Sequence, residues 1–173
     1  GGLWFAACSP KAIERIKEIK ATKRWMPASL DLSIALDNSV ATQTYNTPAL
    51  ATLIMFDDQL KWMNSNGGMA FTTGRTDRSA EILYTWAESS GFARPFVEDP
   101  RMRSNVIGTI DFVDEIDAAL VAKVLRANGI VDTEPYRKLG RNQLRIATFV
   151  SIEPDDVRQL IKAIDYTIEH MQA

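Results

Sequence analysis

Asn66-Gly67-Gly68 interrupts a long helical stretch, and that break constrains the architecture of the chain more than any other feature. Before it, Leu50, Leu53, Ile54, Leu60 and Met63 recur at helical spacing. After it, a second helix is predicted to run to about Ser89 through Ile82, Leu83 and Trp86, where Ser90-Gly91 stops it. Two consecutive helices parted by glycines make a bridge between domains. The chain should therefore contain part of one unit upstream and a second unit downstream.

The downstream part reads as a small α/β sandwich. Residues 105–113 have strand composition. Asp114 is expected to cap a helix carrying Ile116, Ala119, Leu120 and Val124, which ends at Asn128-Gly129. Residues 129–131 begin another strand, residues 144–149 form the next, and a last helix starts at Pro154-Asp155-Asp156 with acids at its positive end. That helix carries Val157, Leu160, Ile161, Ile164, Ile168 and Met171 on one face. The order strand, helix, strand, strand, helix predicts helices covering one face of a small sheet.

The upstream part is less regular. Residues 3–7 read as a buried strand, and Ser9-Pro10 supplies a cap and a first-turn proline for a helix over residues 10–20, lined by Ile13, Ile16 and Ile19. Residues 25–39 have no clean period and contain Pro27, which predicts an irregular connection. The chain opens on Gly-Gly-Leu-Trp-Phe, without Met, and enters an apolar run at once; a strand of that kind needs neighbours, so a fragment of a longer protein is expected.

Composition narrows the chemistry. The 173 residues are 46% hydrophobic, enough for a buried core, and a net charge of −2 with mixed signs argues against a broad nucleic-acid face. No apolar run reaches the roughly 18–20 residues of a membrane span, and with no secretory leader the chain reads as cytoplasmic. One cysteine precludes an internal disulfide, and one histidine, His170, leaves no His/Cys metal set. Cys8, inside an apolar run, reads as a buried small hydrophobe. The phosphate-loop, dinucleotide, nucleophile-elbow and zinc-helix motifs are absent, and the pairs Asp57-Asp58, Asp114-Glu115 and Asp155-Asp156 read as solvated carboxylates.

Two candidate anion sites remain. Arg137, Lys138, Arg141 and Arg145 place four cations within nine positions just before an apolar segment, and guanidinium forks match carboxylate or phosphate. The same stretch also fits a solvated basic loop. Thr42 to Ala49 (Thr-Gln-Thr-Tyr-Asn-Thr-Pro-Ala) has the composition of a helix N-terminus, where Asn46 and Thr47 offer donors for a phosphate or plain capping. Two anion sites without an evident acid, base or nucleophile suit an enzyme whose chemistry belongs to a cofactor, or a regulatory ligand-binding domain.

Gly1-Gly2-Leu3-Trp4 entering a strand, Thr44-Tyr45-Asn46-Thr47-Pro48, the break at Asn66-Gly67-Gly68, and Tyr136-Arg137-Lys138-Leu139-Gly140 leading to Arg145 together resemble the phosphoserine aminotransferase family, actinobacterial type, in order along the whole chain. The resemblance implies the C-terminal part of a fold-type-I pyridoxal-phosphate transferase, a homodimer that exchanges an amino group between phosphoserine and 2-oxoglutarate in serine biosynthesis. It implies residues 1–66 as a remnant of the large cofactor domain, residues 67–91 as a bridging helix and residues 92–173 as a small C-terminal domain. Asn46 and Thr47 would bind the cofactor phosphate of the neighbouring subunit, Arg145 the substrate α-carboxylate, and Arg137 with Tyr136 and Lys138 the distal phosphate or carboxylate. Many members carry His-Arg where this chain has Tyr136-Arg137, so Lys138 and Arg141 become candidates to share the distal role. The family's Schiff-base lysine would lie upstream of residue 1, and the chain alone is expected to be inactive. An exposed apolar face around residues 3–5 and Trp25 should follow. The alternatives are another class V-type pyridoxal-phosphate aminotransferase and a stand-alone module binding an anionic metabolite.

Overall fold

The structure is a computed structural model that describes residues 3–136 and 138–171. The chain divides into two compact units, Gly1–Trp62 and Met63–Ala173.

The first unit is helical. α1 spans Pro10–Ala21, with the Ser9 side chain accepting from the Ala12 amide. α2, Leu32–Val40, is capped by Asp31, whose carboxylate accepts from the Ser33 N–H at 2.9 Å. This helix replaces the irregular connection expected over residues 25–39; the Asp31 cap was a sufficient local signal, and Pro27 lies four residues too early to break it. α1 packs on α2, Ile16 is the buried residue of α1, and Lys20 Nζ reaches Asp37 Oδ2 at 2.6 Å. α3, Leu50–Ser65, carries no buried residue. The strand expected over residues 3–7 does not form: the segment is unpaired, Trp4 and Phe5 are 60% and 64% exposed, and Cys8 is exposed rather than buried. A strand takes its hydrogen bonds from a neighbour, and no described residue supplies one there. Trp25 is 87% exposed, so the apolar face expected around these residues is present.

The second unit is an α/β sandwich. Gly67 and Gly68 hold φ of 118° and 61°, and α4 runs from there over Gly68–Ser89. β1 (Ala93–Pro95), β2 (Ile107–Phe112) and β3 (Gln143–Ala147) form an antiparallel sheet in the order β1-β2-β3. α5 (Ala118–Ala127) and α6 (Pro154–Met171) complete the layer of helices. Leu83 of α4, Ile110 and Phe112 of β2, Val121 and Leu125 of α5, Leu144 and Ile146 of β3, and Ile164 and Ile168 of α6 make one core. Each fully buried Leu or Ile contributes about 1.5–3 kcal/mol, far more than an exposed ion pair, so this core holds the unit together.

Three expectations change here. α5 is capped by Asp117, not Asp114: the Asp117 carboxylate accepts from the Ala119 and Leu120 amides. Residues 113–116 instead form a turn, closed by the Ile116 N–H to the Val113 carbonyl, with Asn142 donating to the carbonyls of Val113 and Ile116 and accepting from the Ala118 amide. Residues 129–131 form no strand; Gly129 ends α5 at φ 85° and Ile130 turns onto the core. β1 was not expected, because three residues ending in proline carry almost no strand signal. No described helix is long and apolar enough to cross a membrane.

Candidate functional site

The two faces of the sheet are chemically distinct. Alternation places Gly108, Ile110, Leu144 and Ile146 against the helices and sends Thr109, Asp111, Gln143 and Arg145 to the opposite face, where Asp111 and Gln143 are buried and Thr109 and Arg145 half-buried. Register sets Asp111 between Arg94 of β1 and Gln143 of β3, and sets Thr109 opposite Arg145.

Arg145 is half-buried, and its backbone N–H donates to the Thr133 carbonyl at 3.0 Å, which fixes residue 145 between β2 and the segment that leads into the basic turn. Its guanidinium lies 5.8 Å from the centroid of the Tyr136 ring, within cation–π range. Among the described residues, no carboxylate pairs with it. Tyr136 is 62% exposed, the Leu139 amide donates to the Tyr136 carbonyl at 3.0 Å to close the turn, and Gly140 adopts φ 66°. Lys138 is exposed on that turn. Arg137 lies outside the described residues. Glu134, at the start of the turn, is bound by Arg126 of α5, whose Nε and Nη2 donate to its two oxygens at 2.5 and 3.0 Å. That pairing holds the Glu134 carboxyl below its usual range and raises Arg126.

Arg141 is differently placed. It donates through Nε to Asp111 Oδ1 at 3.2 Å and through Nη2 to Oδ2, and its guanidinium lies 4.6 Å from the Phe96 ring centroid. Gln143, fully buried, donates to Asp111 Oδ1 at 2.8 Å and leaves its Oε1 without a partner among the described residues. Burial of Asp111 would raise its carboxyl; the bonds from Arg141 and Gln143 and the charges of Arg141 and Arg94 outweigh that, and it titrates below the usual carboxylate value. Sequence reading missed Asp111, Asn142 and Gln143. The one available signal was an acid inside a strand flanked by Ile110 and Phe112, where Asp is normally depleted.

In the first unit, Asn46 and Thr47 are exposed in the bend before α3. The Thr44 hydroxyl donates to the Asn46 carbonyl at 2.7 Å and shapes that bend. No hydrogen bond among the described residues engages the Asn46 or Thr47 side chain, so their donors are available to an anion. Among the described residues, neither site brings together an acid, base and nucleophile; what they offer is hydrogen-bond donors and, at the basic turn, cations. Among the described residues no group of three or more His, Cys, Asp and Glu could hold a metal ion.

No family model matches the chain. The phosphoserine aminotransferases of Rhodococcus jostii (strain RHA1) and Rhodococcus opacus (strain B4) are 60% and 59% identical to it over 171 residues, covering 99% of the chain. The chain spans 46% of each of these relatives. Among solved structures, a phosphoserine aminotransferase from Cytophaga hutchinsonii superposes with a TM-score of 0.80 over 92% of this chain and 43% of its own, at 20% identity. The PLP-bound phosphoserine aminotransferase from Trichomonas vaginalis gives 0.66 over 83% and 39%, at 18% identity. At these identities the structures speak to the fold, which is that of the aminotransferases, while the two Rhodococcus sequences speak to kinship. Over the 46% of those relatives that it spans, the chain is similar to phosphoserine aminotransferases along nearly its whole length.

Proposed function

We propose that this chain is part of a pyridoxal-phosphate enzyme that exchanges the amino group of O-phospho-L-serine with the oxo group of 2-oxoglutarate, relating them to 3-phosphonooxypyruvate and L-glutamate in serine biosynthesis. The observation that carries this reading is the 60% identity to the Rhodococcus jostii relative over nearly the whole chain. In the intact polypeptide, residues 1–66 belong to the large cofactor domain, residues 67–91 bridge, and residues 92–173 form the small domain; the enzyme works as a cytoplasmic homodimer.

The chain's own residues have binding roles. The Asn46 amide and the Thr47 hydroxyl, exposed and unengaged, have the donor chemistry to hold the cofactor phosphate of a neighbouring subunit. When bound, the cofactor supplies the electron sink for amino transfer. Arg145 binds the substrate α-carboxylate, and Tyr136 under its guanidinium restricts where that fork points. Arg137, with Tyr136 and Lys138, binds the distal phosphate of phosphoserine or the distal carboxylate of glutamate. Both substrates carry an anion at each end, so one pair of cationic seats serves both.

The test is to supply the purified intact polypeptide with pyridoxal phosphate, phosphoserine and 2-oxoglutarate. Glutamate formation is expected, and an Arg137→Gln variant should lose phosphoserine affinity far more than cofactor retention. No glutamate formation, together with tight 2-oxoglutarate binding by the 173-residue chain without cofactor, would favour a metabolite-binding module instead.

A further inference from the structure

We propose that Asp111 is a positioning residue for the anion site: by holding Arg141 and Gln143 it fixes the run into β3 so that Arg145 meets the substrate carboxylate. The inference rests on the aminotransferase reading above.

Arg141, Gln143 and Arg145 alternate along one line of the sheet face turned away from the helices, at positions two residues apart. Asp111, 5% exposed, accepts from the first two members of that line through Arg141 Nε, Arg141 Nη2 and Gln143 Nε2. The third member, Arg145, has no carboxylate of its own among the described residues. Asp111 thus anchors the two residues that precede the substrate cation and leaves that cation unneutralised.

Arg141 is held from two directions, by the Asp111 carboxylate and by the Phe96 ring. It follows the turn that carries Tyr136 and Lys138, so its attachment pins the far end of that turn to β2. The near end is pinned by Arg126 to Glu134. Between these two anchors Tyr136 is held at the Arg145 guanidinium.

The composition of the network separates positioning from plain stability. A sheet face of this kind is stable with Thr or Val at its alternate positions, and burying Gln143 with its Oε1 unpartnered costs stability. The whole polar set therefore adds geometry rather than stability over an apolar face, whereas loss of one member leaves its partners unpaired and destabilises. Asp111 neutralises Arg141, whereas Arg145, like the exposed Arg94 at the β1 edge, has no carboxylate partner among the described residues and is open to an incoming anion.

The experiment uses the intact polypeptide with its cofactor and two single variants, Asp111→Asn and Arg141→Gln, with their combination. KM for 2-oxoglutarate should rise about tenfold in each single variant with kcat within about twofold. The dissociation constant of glutarate, a dicarboxylate without the reacting carbonyl, should rise by the same factor in calorimetry. The double variant should be no worse than either single one, because both act through one contact. Cofactor absorbance should be unchanged. Unchanged KM and glutarate affinity in the variants, or a lowered Tm and cofactor loss with normal KM in the folded fraction, would overturn the assignment. If Asp111→Asn does not fold, Gln143→Leu, which removes the other bond to Asp111 at a residue outside the anion set, decides by the same KM and glutarate criteria. A wild type that binds glutarate but does not transaminate sinks the aminotransferase reading and leaves glutarate to decide on Asp111; a wild type that binds no glutarate overturns both.

Discussion

Leu83 of α4 occupies the space that any side chain at Gly108 of β2 would need: a β-carbon at position 108 would fall 2.4 Å from Leu83 Cδ2. Leu83 is fully buried, so it has nowhere to swing. Gly108→Ala should therefore destabilise the second unit by about 1–3 kcal/mol through overpacking. Gly74, in the interior of α4, has no heavy atom within 4 Å of its β-carbon direction, and Gly74→Ala should stabilise by about 0.5–1 kcal/mol through helix propensity. Urea midpoints of the two variants measured side by side check both signs.

Asp111 gives the stability of the protein a defined response to acid. Its folded carboxyl titrates below the ordinary value of 3.8, so its contribution is fully present at neutral pH and is lost as pH falls through the folded value. Asp111→Asn should lower the urea midpoint at pH 7, and the gap from the wild type should close below about pH 4. A gap that stays constant from pH 7 to pH 3 would show that the charge of Asp111 does not carry the effect.

The elements legible in the sequence are those whose signals are local. Ser9-Pro10, Gly67-Gly68 and Asp155-Asp156 mark helix starts by caps, backbone freedom and charge, and α1, α4 and α6 begin there. The choice between Asp114 and Asp117 as the α5 cap was not local. Asn142, twenty-four residues from Ala118, holds the preceding turn and the first helical amide together, and no window of sequence displays that. Residues 3–7 show the converse case: strand composition without a neighbour gives no strand. In the site, the cationic cluster was legible as composition, but its division into an engaged Arg141 and an open Arg145 depends on Asp111, thirty residues from Arg141.

Asn46 and Thr47 are surface residues whose side chains make no hydrogen bond among the described residues, so replacing those side chains should leave folding intact. Asn46→Ala and Thr47→Val in the intact polypeptide should each weaken cofactor retention about tenfold, the loss of one charge-assisted hydrogen bond. Dialysis against buffer, followed by the absorbance of the bound cofactor, measures this; retention equal to wild type in both variants would remove these residues from the phosphate site.

Steady-state kinetics of Arg145→Gln in the intact polypeptide test most directly the proposed role of Arg145 as the seat of the substrate carboxylate. KM for both phosphoserine and 2-oxoglutarate should rise by about a hundredfold or more, as expected when a charge-assisted carboxylate contact is removed, with the cofactor absorbance preserved. KM values equal to those of the wild type for both substrates would contradict it.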